Sequence, residues 1–402
     1  YRRSRPASPD FGVWAALAGM SVLIDITRLL DRALQERRPT GVDRVGLAYV
    51  EHFQERALAL VRYGGRWMVF PEADSRRLLD WMIAPAAESA PHIRRLVGKN
   101  YLLNWRPPAA GGILINVTHS GLDEPDYASR IHRYRLRPLY FLHDLIPIVF
   151  PEYGRPGVEE RHRRRLVTML TTACGLVVNS AVTGEELASY ASNVGMPLPP
   201  WVVAHLAPPA FPLPAAERPL RAPYFVVLGT LEPRKNHLLL LNVWRSLIAT
   251  YGEAVPHLVV IGQRGWECEQ VMDMLERCAV LKGRVVELSE CDDAALATWL
   301  GHAQALLFPS FAEGYGIPLV EALVLGTPVI ASELPVFHEL AGDIPEYLDP
   351  LDGLGWRQAV LDYVAADSPR RSAQLARMAG WKAPSWEAHF ALVDAFLDRH
   401  FH

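Results

Sequence analysis

The chain has 402 residues, 50% hydrophobic and 21% charged, a globular composition long enough for two domains and unlike a disordered or fibrous chain. A formal net charge of -3 argues against nucleic acid as a partner, because a polyanion calls for a basic excess. Four cysteines, with no CxxC pair and no matching His spacing, argue against a disulfide framework or a zinc site and fit a reducing cytoplasm.

The average conceals an asymmetry. Residues 1–200 hold 26 Lys+Arg against 20 Asp+Glu, and residues 201–402 hold 15 against 24. The arginines of the first half cluster at Arg130, Arg133, Arg135 and Arg137, and at Arg161 and Arg163 to Arg165. Such runs read either as solvated helix faces or as a surface resting on anionic lipid or a phosphate-bearing acceptor.

Phe11 to Ile24 is apolar and follows arginines, which mimics a secretory leader. Ser21 to Ile26 nevertheless reads as a first buried strand with Met20 as a natural start, so residues 1–19 are taken as an N-terminal extension or cloning remnant. No run of about twenty apolar residues, the length that spans a bilayer, occurs.

From there, short apolar runs alternate with amphipathic stretches, the pattern of βα units building parallel sheets covered on both faces. The strands expected in the first half are Val22–Ile26, Ala57–Tyr63, Ile113–Val117, Pro138–Leu142, Leu176–Asn179 and Val202–His205. In the second they are Tyr224–Leu228, His257–Ile261, Val285–Leu288, Ala305–Phe308 and Val329–Ala331. Between the halves, Pro208, Pro209, Pro212, Pro214, Pro219 and Pro223 forbid a helix or central strand. The expected organisation is α/β, with a first Rossmann-like domain over 20–206, a stiff linker over 207–223 and a second Rossmann-like domain over 224–380. The tail 381–402 is apolar at helical spacing and suits a helix that caps the second domain or crosses back to the first.

Candidate site residues follow the same order. Thr40, Gly41 and Arg44 form a turn before a helix, where Gly41 permits close approach of a phosphate or an acceptor hydroxyl. His143 and Asp144 end a predicted strand, a place that opens on a cleft in open α/β folds. Ser180 reads as a helix N-cap without chemistry.

In Gly229-Thr-Leu-Glu-Pro-Arg-Lys-Asn-His237, Arg234 and Lys235 stand at a strand end just before a helix. Cations there oppose the helix dipole, so they point to a phosphate and not to helix stability. Lysine is rare in this arginine-dominated chain, which sharpens that reading for Lys235.

Phe308 to Ala331 then reads strand, glycine loop, helix, strand. Pro318 sits in the first helical turn and Gly326 closes the helix. The helix start at Ile317–Leu319 offers N–H groups to an anion, and Gly314 and Gly316 let it come close. Glu313 and Glu321 flank that anion site. Taken alone they read as surface helix acids, but in this strand–loop–helix context two carboxylates suit hydroxyl-bearing groups, a sugar at one end and a ribose at the other.

These segments resemble the GT4-type family of retaining glycosyltransferases with the GT-B fold. The resemblance is carried by GTLEPRKNH (229–237), FPSFAEGYGIPLVEAL (308–323), GTPVIAS (326–332), the LDP of Leu348–Pro350, HDLIP (143–147) and VVNSAVTGEEL (177–187). It implies two facing Rossmann-like, doubly wound domains with a deep inter-domain cleft. A nucleotide-sugar would be the co-substrate, with no further cofactor and no metal. Arg234 and Lys235 would clamp its diphosphate, Glu313 would contact the transferred sugar, and Glu321 would hold the ribose. Gly229, Gly314, Tyr315, Gly316 and Ile317 would line the donor, His143 would face the reaction centre, and the C-terminal helix would return to the first domain. Many relatives have a double glycine where Gly41 stands alone, which leaves that loop's role open.

HDLIP and the arginine-rich segment after it are similar to bacterial mannosyl- and rhamnosyltransferases of surface polysaccharides, which favours GDP-mannose and a glycan or lipid-linked acceptor. The cytoplasm, at the inner face of the plasma membrane, is the expected place. Competing readings are an epimerase or phosphorylase of the same fold and a silent sugar-binding scaffold. An NAD-dependent dehydrogenase fits poorly, since no G-x-G-x-x-G follows the first strand.

Overall fold

The computed structural model describes residues 21–37, 39–84, 89–365 and 367–401. Residues 1–19 and Met20, assigned above to an extension and a start, lie outside the described residues.

The first sheet is built from β1 (Val22–Asp25), β2 (Ala57–Tyr63), β3 (Arg66–Val69), β4 (Ile113–Asn116), β5 (Arg137–Leu142), β6 (Gly175–Val178) and β7 (Trp201–Val203). Its order is β3-β2-β1-β4-β5-β6-β7, parallel except that β3 runs antiparallel to β2 at the edge. The second comprises β8 (Tyr224–Leu228), β9 (His257–Ile261), β10 (Val285–Leu288), β11 (Leu306–Phe308), β12 (Val329–Ser332) and β13 (Glu346–Leu348). These six pair in the order β10-β9-β8-β11-β12-β13, all parallel. In each sheet the winding reverses beside the first strand, between β1 and β4 and between β8 and β11, and such switch points open a crevice at the strand carboxyl ends.

Two of the four edge strands, β3 and β13, are absent from the sequence expectation. Arg-Trp-Met-Val and Glu-Tyr-Leu are short and only partly apolar, so neither gives the unbroken run of a covered strand. The central strands β1, β4 and β6 are wholly buried, as their runs require. Residues 204–223 pass between the sheets without helix or strand.

The helix Trp386–His400 lies on the first domain. Phe390 packs its ring edge against Tyr49 at 5.1 Å, and a Cβ on Gly175 would stand 2.4 Å from the Phe396 ring. His52 meets Asp394 at 3.0 Å, and His389 reaches both the His205 carbonyl and the Tyr49 hydroxyl at 3.0 Å. The last helix thereby ties the end of the chain to its beginning.

Candidate active site

The second sheet supplies the floor. Gly229 follows β8 at φ +141°, and Gly262 follows β9 so closely that a Cβ there would stand 2.0 Å from the Gly229 carbonyl oxygen. Two strand ends thus touch backbone to backbone, with no side chain to fill the crevice above them. Gly262 escaped the sequence reading, although a glycine directly after a predicted strand was its available signal.

Beyond Gly229, Pro233–Lys235 makes one 3-10 turn, and Asn236 turns the chain at φ +55° into the helix His237–Tyr251. The Asn236 amide donates to the carbonyls of Pro309 at 3.2 Å and Pro350 at 2.9 Å, which explains why an LDP segment accompanies this motif. The Phe311 N–H donates to the Arg234 carbonyl at 2.8 Å. These ties bring two distant loops together and fix their charges.

Glu313 is the centre of the resulting cluster. One carboxylate oxygen accepts from Lys235 Nζ at 2.5 Å and from Ser310 Oγ at 2.7 Å, and the other from Arg234 at 2.7 Å. Arg234 reaches back to Glu232 at 2.7 Å and donates to the Ala312 carbonyl at 3.0 Å. Lys235 Nζ also stands 5.0 Å from the centre of the Phe308 ring. Burial alone would raise the Glu313 carboxyl, but Arg234 and Lys235 outweigh it and hold that group at about 2. Burial, with Arg234 beside it, lowers Lys235, and burial raises Glu232. Glu232, also missed in the sequence, is the second carboxylate balancing the two cations.

The loop from Glu313 to Ile317 then crosses the cleft. A Cβ on Gly314 would lie 2.5 Å from the His143 carbonyl and 2.6 Å from Asp144 Cβ, so only glycine lets the two domains approach there. Its carbonyl accepts from Ser180 Oγ and Thr183 Oγ1, each at 3.2 Å. Ser180 caps its helix by accepting from the Thr183 N–H, as expected, and bridges the domains as well. Tyr315 is buried and donates its hydroxyl to the Leu206 carbonyl at 2.7 Å. Gly316, at φ +114°, starts the helix Ile317–Val324. Pro318 has no N–H and the Leu319 N–H is held by the Gly316 carbonyl at 3.0 Å. The helix start therefore offers fewer donors than expected, and those left to an anion precede Pro318.

Glu321, in that helix, is 6% exposed and lines the cavity. Burial pushes its carboxyl up to about 7, with Arg44 opposing and Asp293 adding to the rise. Gly326, at φ +72°, follows the helix as its C-terminal glycine.

From the first domain, the Val117 carbonyl receives His143 Nε2–H at 2.8 Å, so Nδ1 carries the lone pair of the neutral ring. Burial lowers this ring to about 4, despite the Val117 bond. The Asn179 amide donates to the His143 carbonyl, His162 bonds the Asp144 carbonyl, and His119 bonds the Phe141 carbonyl. The Asp144 carboxylate accepts the Ile146 N–H at 3.1 Å, a turn-forming bond.

The Thr40 loop, expected to meet a phosphate or an acceptor hydroxyl, has its first donors already engaged within the chain. The Thr40 N–H and hydroxyl both donate to Asp43, at 2.8 and 2.6 Å, so the turn is closed by its own carboxylate. Gly41 stands opposite Ile317, where a Cβ would make an ordinary 3.5 Å contact. Arg44 crosses the cleft to Asp293 at 2.7 Å. The neighbouring Asp292 caps the helix Asp293–Gly301 by accepting from the Ala295 N–H. Among the described residues, no group of three His, Cys, Asp or Glu side chains could hold a metal ion.

All the candidate residues except Thr40 line one cavity of about 650 Å³ between the domains, joined by Glu232, Gly262, Gln263, Ser289 and Asp293. Two facing Rossmann-like domains with a shared polar crevice define the GT-B architecture of glycosyltransferases.

Within it, residues 222–361 match the family model described as glycosyl transferases group 1. The chain is 28% identical over 242 residues to the serotype-specific mannosyltransferase WbdA of Escherichia coli, covering 56% of this chain and 29% of that protein. It is 33% identical over 164 residues to the Escherichia coli O-antigen chain mannosyltransferase B, covering 41% and 42% of the two. The chain thus spans under a third of WbdA's length. Among solved structures, HepE of Anabaena with UDP and glucose aligns over 95% of each chain with TM-score 0.59 and 15% identity. Sucrose-phosphate synthase of Thermosynechococcus elongatus aligns over 95% of this chain and 99% of its own, with TM-score 0.61 and 14% identity. At such identities they establish the shared fold alone.

Proposed function

We propose that this chain transfers a hexose, mannose from GDP-mannose, onto a glycan or lipid-linked acceptor in polysaccharide synthesis, with retention of anomeric configuration and without a metal ion. The observation that supports it most is the Arg234–Lys235–Glu313 cluster, set beside the Ile317 helix start and facing His143 across the cavity.

The chemistry follows from charge. Breaking the anomeric C–O bond leaves negative charge on the diphosphate and builds positive charge on the sugar. Arg234 and Lys235, with the amides before Pro318, stabilise the departing diphosphate where it forms. The acceptor oxygen bonds the anomeric carbon from the same face and its proton passes to a departing phosphate oxygen. Glu313, ionised by its cations, accepts hydrogen bonds from sugar hydroxyls, and Glu321 does so for the ribose. His143, kept neutral, meets the sugar without adding positive charge to it.

Incubation with GDP-mannose should release GDP and yield an α-linked product by NMR. Release from another nucleotide-sugar alone would replace the donor, and a β-linked product would remove retention.

A further inference from the structure

Four of the eight arginines in the basic runs noted in the sequence are ion-paired on the folded surface. Arg130 pairs with Asp126, Arg163 with Glu159, Arg164 with Glu160 and Arg165 with Asp123. A different place in the first domain combines exposed apolar groups with positive charge that no ion pair among the described residues neutralises.

There, Leu102 is 79% exposed, Leu103 76%, Tyr63 67% and Trp105 41%. Single exposed hydrophobics are ordinary, but these adjoin. Tyr63 packs its ring edge against Tyr101 at 5.7 Å, and Arg66 lies over Tyr101 at 5.0 Å and Trp105 at 5.5 Å. The helix Ser89–Leu103 and the residues after it carry Arg94, Arg95, Lys99 and Arg106, and residues 89–106 contain no carboxylate. Arg95, Lys99 and Leu102–Leu103 follow one another at helical spacing on the exposed side.

Aliphatic side chains at the tip, Tyr and Trp beside them and cations along the flank are the chemistry of a membrane interface. We propose that this tip, with the β2–β3 turn next to it, docks on an anionic lipid bilayer. Charge complementarity selects that occupant, since a neutral apolar partner would leave four cations unmatched. Tyr63 ends β2 and His143 follows β5, so the patch lies at the sheet edge on the same carboxyl side as the cavity. Docking there would hold the cleft mouth beside a lipid-borne acceptor, and this second part alone rests on the transferase reading.

The test is flotation of the full chain with phosphatidylcholine vesicles, with and without phosphatidylglycerol. Binding is expected on the anionic vesicles only, and to weaken with salt. Arg95→Glu with Lys99→Glu should lower the bound fraction at least tenfold, each site being worth about fivefold near such a surface. Leu102→Glu with Leu103→Glu should do likewise, whereas Arg163→Glu with Arg164→Glu should bind like wild type. All six positions are exposed or half-exposed, and an unchanged melting temperature confirms folding. Absent binding, equal binding to neutral vesicles, or undiminished binding by the tip variants would overturn the proposal. So would concentration-dependent dimerisation lost on Leu102→Glu with Leu103→Glu, which assigns the patch to a second copy. Nucleotide-sugar binding, measured separately, fails only if the transferase reading fails.

Discussion

Lys235 and Glu313, 78 residues apart in the chain, meet with Nζ 2.5 Å from Oε1. Arg234 holds the other oxygen of the same carboxylate, and Glu232 holds Arg234. Two cations thus face two carboxylates before any donor arrives. A diphosphate must therefore compete with Glu313 for the lysine.

This competition separates two variants. Lys235→Ala should weaken GDP binding by about 10- to 100-fold, the loss of one charge-assisted hydrogen bond. Glu313→Gln removes the competing anion, so GDP binding should hold or tighten while sugar transfer falls at least about 100-fold. Calorimetric titration and a transfer assay read the two effects apart. Equal losses of GDP affinity in both variants would place Glu313 on the diphosphate.

Glu321 predicts a pH dependence. Its folded carboxyl titrates at about 7 against 4.5 for an unperturbed one, so the folded chain binds the proton more tightly. The group's contribution to stability therefore declines as pH rises from about 4.5 to about 7 and changes little above that. Glu321→Gln should lose this decline and gain on the order of 2–3 kcal/mol over wild type at pH 8. Urea midpoints of both proteins at pH 5 and pH 8 provide the comparison. A ribose that donates to the ionised carboxylate should likewise bind wild type better at pH 8 than at pH 6.

Gly262→Ala tests the floor of the cavity. The added Cβ would meet the Gly229 carbonyl, which is backbone and cannot swing aside. A loss of about 1–3 kcal/mol of stability is expected, read from the urea midpoint, with weaker donor binding because Gly229 must move. An unperturbed variant would show that the two strand ends are free to separate.

Across the cleft, Glu339 accepts the Ala181 N–H at 2.7 Å, the Val182 N–H at 3.2 Å and His205 Nε2 at 2.8 Å. A carboxylate from the second domain thus caps a helix of the first. Burial opposes its ionisation, but His205 and the two amides prevail and lower it. Glu339→Ala should cost about 1 kcal/mol of capping and loosen the closed arrangement. Small-angle scattering should then show a larger radius of gyration without donor; an unchanged curve would mean closure does not depend on this contact.

The central strands were legible because parallel strands covered on both faces read as apolar runs, as in β6 and, up to their final Asp25 and Asn116, in β1 and β4. Strands β3 and β13 were not, because Arg66 and Glu346 leave them only two or three apolar residues in a row, although the edge strands β7 and β10 were legible. Within the site, Arg234, Lys235, Glu313 and Glu321 stood out because charge beside strand ends and glycines is costly without a ligand. Glu232 looked like one more acid in a polar turn, and its importance lies in an Arg234 contact that spacing does not express. Glu339 and Asp293 act across the cleft, and no local pattern announces a partner more than a hundred residues away. Thr40 misled for a related reason: its helix start is an anion site by position, but Asp43 three residues on already occupies it.

The most direct test is a thermal melt of the wild-type chain and of Arg234→Ala with GDP-mannose, UDP-glucose and dTDP- and ADP-sugars. A ligand at a hundredfold its dissociation constant adds about 2.7 kcal/mol, enough to raise the melting temperature visibly. GDP-mannose should raise it in wild type and leave Arg234→Ala unmoved. No rise with any nucleotide-sugar, or the same rise in both proteins, would contradict a diphosphate cradle built on Arg234 and Lys235.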